Sequence, residues 1–92
     1  MIKGWKNSAT RRFAEDGKSG FSGLDADKAN ARLQLLDAMQ SLDEVPSLAS
    51  IQLHRLKGKR RGQWAMTING PWRLVFEFRQ GHAYNVEIVD YH

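Results

Sequence analysis

His54, Lys57, Arg73, Asp90, Tyr91 and His92 bring two imidazoles, two cations, a carboxylate and a phenol to the second half of a 92-residue chain. That set can cut RNA without a metal. The reaction needs a base to take the proton from a ribose 2′-hydroxyl, cations to offset charge building on the phosphate, and an acid to protonate the departing 5′ oxygen. Imidazole changes its protonation near neutral pH and can fill either proton role. Each residue also has a plainer reading. His54 can be a surface residue of a strand, Arg73 a solvent-facing arginine between Trp72 and Leu74, and His92 a frayed chain end. His82, beside Gly81, reads as turn surface. His54, Asp90 and His92 are suitable metal-ligand types, but none of their spacings is that of a zinc site, so no metal is expected. There is no nucleophile elbow and no phosphate-cradling glycine loop, so no cofactor is expected either.

Charge adds to the pattern. Residues 1 to 46 carry seven basic and seven acidic side chains, whereas residues 47 to 92 carry seven and three, so the whole net charge of +4 belongs to the second half. Arg55, Lys57, Lys59, Arg60 and Arg61 put five cations into seven positions, the footprint of a phosphate-binding surface. A basic loop that merely faces water is the alternative. Without cysteine there is no disulfide framework and no thiolate metal site. The opening Met1 to Lys6 lacks the apolar core of a signal peptide, and no apolar run approaches the roughly 18 residues of a membrane span. A soluble cytoplasmic protein of one domain, 1–92, is expected, with no membrane partner.

The elements that must position these residues fall into two halves. Asn7 or Ser8 can cap a helix running to about Asp16, with Ala9 and Phe13 on its inner face and Gly17 as its stop. A loop with repeated Ser and Gly follows. A second helix should start near Asp25 and reach about Leu42, since Leu35, Leu36, Met39 and Leu42 recur at helical spacing while Lys28, Arg32 and Gln34 lie off that stripe. After Pro46 the period becomes two. Residues 51 to 56 alternate as a strand leading into the basic loop bracketed by Gly58 and Gly62. Trp64, Met66 and Ile68 form one face of a strand, Asn69-Gly70 a hairpin turn, and Trp72, Leu74, Phe76 and Phe78 the apolar face of the next. Gln80-Gly81 makes another turn, and Tyr84, Val86 and Ile88 continue that face. The expected fold is α+β, with two N-terminal helices packed on one face of a three- to four-stranded antiparallel sheet and the other face left for a ligand.

Arg73 should stand on that open face, with His54 on the polar side of its strand and Lys57 just beyond. Counting from Tyr84, however, puts Asp90 and His92 on the core-side parity and Tyr91 with the open face. A bulge near the end of the strand would reset the count.

The motifs His54-Arg55-Leu56-Lys57-Gly58, Gly62-Gln63-Trp64, Asn69-Gly70-Pro71-Trp72-Arg73-Leu74-Val75-Phe76 and Asp90-Tyr91-His92 resemble those of the HigB toxins, the plasmid-maintenance killer proteins of the RelE superfamily. The likeness covers essentially the whole chain and is tightest from Gln52 to His92. It implies a microbial-ribonuclease-like sheet and a ribosome-dependent endonuclease that cuts messenger RNA in the decoding site, leaving a 2′,3′-cyclic phosphate and a 5′-hydroxyl. The family's catalytic positions map onto His54, Lys57, Arg73, Asp90, Tyr91 and His92. The implied partners are the ribosome with its rRNA, the mRNA, and a HigA-type helix-turn-helix antitoxin. The stretch Lys59-Arg60-Arg61 is more uniformly basic than its counterpart in the family. Two other readings of the residues stay open: a ribonuclease that needs no ribosome, and a non-catalytic RNA- or DNA-binding module.

Overall fold

Asn7 opens the first helix because its side-chain oxygen accepts the Thr10 N–H at 2.9 Å, and Gly17 closes it at φ 72°, returning its own N–H to the Phe13 carbonyl. This helix, α1, is Ser8–Asp16, as its caps predict; the computed structural model describes residues 1–17, 20–48 and 50–90. Thr10, not Ala9, joins Phe13 inside. The reason is polar: the Thr10 hydroxyl accepts the Ile88 N–H at 3.0 Å, so a hydroxyl is needed where an apolar count favours alanine.

The second helix, α2 (Ala26–Ala38), is capped by Asp25 and ends four residues before the expected Leu42. Met39 is already extended (φ −75°, ψ 144°). Beyond it Ser41 and Glu44 form a capping box that starts a separate 3-10 turn, Leu42–Glu44, with the Glu44 carboxylate accepting N–H groups from Gln40 and Ser41. The buried stripe is accordingly Ala29, Leu33, Leu36 and Met39, while Leu35 and Leu42 are half-buried.

The sheet is antiparallel with strands in chain order: β1 (His54–Arg55), β2 (Trp64–Asn69), β3 (Trp72–Arg79) and β4 (His82–Asp90). The expected strand over 51–56 shrinks to two residues because Gln52 takes a left-handed conformation, φ 47°. Asn69 faces Trp72, so the first hairpin loop is Gly70-Pro71, with Gly70 supplying the positive φ of 48° that a non-glycine resists. Asn69 does a different job. It accepts the Asp25 N–H at 2.9 Å and donates to the Gly23 carbonyl at 3.0 Å, tying the hairpin to the start of α2. Trp72 adds a bond from its indole N–H to the Ser22 carbonyl.

The count along β4 needs a correction. Between the pairs Val75–Glu87 and Glu77–Tyr84, two residues, Asn85 and Val86, oppose the single Phe76, and Asn85 has φ 51°. This bulge turns Tyr84 away from the apolar face, where it stacks with the Arg79 guanidinium at 4.3 Å, and gives the core position to Ala83. The outer edge of β4 is covered by the first residues of the chain, which run parallel to it through bridges at Ile2 and Trp5.

Both helices lie on the face that carries Met66, Ile68, Leu74, Phe76, Val86 and Ile88, and the main core forms between the two layers. The fold is the expected α+β arrangement with four strands. The opposite face is not bare: Leu56, Ala65 and Val75 are buried there, with Val89 against them.

Candidate active site

Register decides which side chains share the second face. His54 pairs with Ala65, Ala65 with Val75, and Val75 with Glu87, so these four form one row across the sheet. Thr67, Arg73 and Val89 form the next row. His54, Arg73 and Glu87 therefore stand on the same face. With strands about 4.8 Å apart and residues about 3.4 Å apart along them, the Cα atoms of His54 and Arg73 are roughly 12 Å apart, a gap that two long side chains and a phosphate can span.

The imidazole of His54 is exposed, and its Nδ1 lies 2.9 Å from the Gln52 carbonyl. A carbonyl oxygen only accepts, so Nδ1 carries the proton, and in the neutral ring Nε2 keeps its lone pair. Arg73 is half-buried; its Nη1 donates to the carbonyls of Gly70 and Trp72 at 2.6 and 2.9 Å, which fixes the guanidinium at the hairpin end of the sheet. Asp90 ends β4 at that same end, exposed and opposite Trp72. It has the core-side parity that the count gave it, because the bulge lies at Asn85 and alternation runs on unbroken to Asp90. Tyr91 and His92 lie outside the described residues.

The basic stretch folds into a compact loop. Leu56 donates to the Gln63 carbonyl, Gly58 turns at φ 66°, and Gly58–Arg60 is a single 3-10 turn. Arg55, Leu56, Lys57, Arg61 and Gly62 line a shallow pocket on it, with Arg55 also lying 5.5 Å from the Trp64 ring. Lys57, Lys59 and Arg61 are exposed. Arg60 differs from its neighbours: it reaches inward, donating to Glu87 at 2.7 Å and Gln63 at 3.3 Å. Glu87, only 7% exposed, is a carboxylate on the same face as His54 and Arg73 that the sequence did not single out. Its alternation with Val86 and Ile88 carried the signal. Among the described residues no three His, Asp or Glu side chains gather as a metal-binding group, and no helix is long and apolar enough to cross a membrane.

Solved structures share this architecture. YafQ from E. coli strain BL21(DE3) and a point mutant of YafQ from E. coli each superpose with a TM-score of 0.65 over 98% of this chain and 91% of theirs, at 15% and 16% identity, a likeness of fold. Endoribonuclease HigB of Proteus vulgaris is 38% identical over 93 residues, covering both chains completely. Residues 3–92 match the family model for the RelE-like toxin of the type II toxin-antitoxin system HigB. The chain is thus a RelE-like toxin of the type II class. Within that class it belongs to the HigB family.

Proposed function

We propose that this toxin is an endoribonuclease that enters the ribosomal decoding site and cuts messenger RNA during translation. The observation that carries the reading is the shared face: His54 presents Nε2 and Arg73 presents a backbone-anchored guanidinium on the same side of the sheet, beside a loop with exposed Lys57, Lys59 and Arg61. Full-length kinship with a protein named an endoribonuclease supports it.

In the reaction, a base removes the 2′-OH proton, O2′ bonds to the adjacent phosphorus, the P–O5′ bond breaks, and an acid returns a proton to O5′. The products are a 2′,3′-cyclic phosphate and a 5′-hydroxyl. His54 transfers one of the two protons, and His92 or Asp90 assists the other. Lys57 and Arg73 offset charge on the phosphate, and Tyr91 stacks on or orients a base. Arg55, Lys59 and Arg61 hold RNA or rRNA. Arg60, paired with Glu87, shapes the loop from which they project. The ribosome has a physical role here. His54 is exposed on an open face, and a scaffold that fixes the mRNA supplies the in-line geometry such a face does not impose. Between periods of activity a HigA-type helix-turn-helix antitoxin holds the toxin in check, and the toxin acts in the cytoplasm.

Purified toxin incubated with one mRNA, either free or on programmed ribosomes, tests this. Cleavage at least about 100-fold faster on ribosomes is expected. Equal rates on both would remove ribosome dependence, and binding without cleavage of either would leave only an RNA-binding module.

A further inference from the structure

Three non-glycine residues have positive φ among those described: Gln80 in a hairpin loop, Asn85 at the bulge, and Gln52 at neither. A glutamine at φ 47° is uncommon and persists where its surroundings hold it. Here the hold comes from three directions. Ile51 and Gln52 both donate to the Leu48 carbonyl, at 3.0 and 3.1 Å, and Ile51 is buried at 4% exposure. The Ile51 carbonyl accepts the Thr67 N–H of β2 at 2.6 Å. Arg32 reaches over from α2 and grips both sides of the kink, donating from Nε to the Thr67 carbonyl at 2.8 Å and from Nη2 to the Ser50 carbonyl at 2.9 Å. The outcome of the kink is that the Gln52 carbonyl meets His54 Nδ1.

We infer that the kink at residues 50–52, clamped by Arg32, is a positioning device that holds His54 in the Nδ1–H tautomer with Nε2 turned toward RNA. Gln52 and Arg32 are then positioning residues, Gln52 acting on His54 through its carbonyl and Arg32 acting through the kink. A backbone carbonyl suits the task because it cannot be protonated and cannot donate, so only one neutral tautomer satisfies it. The inference rests on the reading of His54 as a proton-transfer group, and its test separates the two.

The measurement is the ¹⁵N spectrum of the full chain labelled at histidine, at a pH where the rings are neutral, with the His54 signals identified by their loss in H54Q. Wild type is expected to show His54 protonated at Nδ1. Q52V, whose β-branched side chain resists positive φ, and R32M, which keeps the apolar stem but removes the grip, should let the Nε2–H tautomer appear; Q52G, free to adopt positive φ, should keep the wild-type pattern. Ribosome-dependent cleavage should fall roughly 3- to 10-fold in Q52V and R32M, part of the full worth of a proton-transfer group, and less in Q52G. If the tautomer is unchanged in both Q52V and R32M, the clamp is wrong whatever happens to cleavage. A changed tautomer with cleavage at the wild-type rate overturns the proton-transfer role of His54, and with it the positioning function.

Discussion

Arg60 pairs with a buried carboxylate while the cations proposed to bind RNA in the same loop are exposed, and replacing it by methionine tests the distinction. The Glu87 side chain is 9% exposed and that of Arg60 is 32% exposed, with 2.7 Å between them. Removing one partner of a fully buried pair costs about 3–5 kcal/mol, because the other charge is left uncompensated. Arg60 is one-third open to water, which can partly solvate the carboxylate in its absence, so a loss of about 2 kcal/mol is expected for R60M. For a chain of this size that corresponds to a fall in Tm of roughly 10–15 °C. Urea unfolding of R60M, E87Q and the double variant gives the coupling directly, and it should reach about 1 kcal/mol or more. The salt dependence of single-stranded RNA binding should be nearly unchanged in R60M, whereas R61M should lower its slope by about 0.7. R60M within about 0.5 kcal/mol of wild type, with a salt slope that drops as R61M's does, would make Arg60 an RNA contact and not a structural cation.

Other substitutions probe the scaffold and the site separately. Thr10→Val removes the acceptor of the buried Ile88 N–H and should cost about 1–3 kcal/mol in urea unfolding, with Thr10→Ser close to wild type. Asn69→Ala loses both bonds between the hairpin and the start of α2; a destabilisation of about 1–2 kcal/mol is expected, and protection of the Asp25 amide from hydrogen exchange should fall with it. His54→Ala and Arg73→Ala, at exposed and half-buried positions, should each slow ribosome-dependent cleavage by about 10²–10⁴-fold while thermal unfolding shifts little. A variant that cuts normally would remove that residue from the site.

Elements set by local chemistry were legible in the chain. The bounds of α1 follow from Asn7 and Gly17, and the helical layer follows from the apolar periods of the two halves. What escaped was set by partners distant in sequence. Thr10 is buried because Ile88 needs an acceptor 78 residues away. α2 stops early because Ser41 and Glu44 begin a new turn, although Leu42 keeps helical spacing. Tyr84 leaves the core because a bulge at Asn85, a residue that tolerates positive φ, breaks a period that reads as regular. In the site, the common face of His54 and Arg73 was readable from alternation. The inward turn of Arg60 was not, since nothing in a run of five cations marks the one that meets a buried carboxylate.

The chemical ends of the cut RNA test the central claim most directly. Toxin-cleaved mRNA should carry 2′,3′-cyclic phosphate and 5′-hydroxyl termini, detected by ligation with an enzyme that accepts only those ends, and both should disappear with H54A and R73A. Fragments bearing 3′-hydroxyl and 5′-phosphate termini would mean that water, and not the neighbouring 2′-hydroxyl, attacks the phosphate, and would contradict the account.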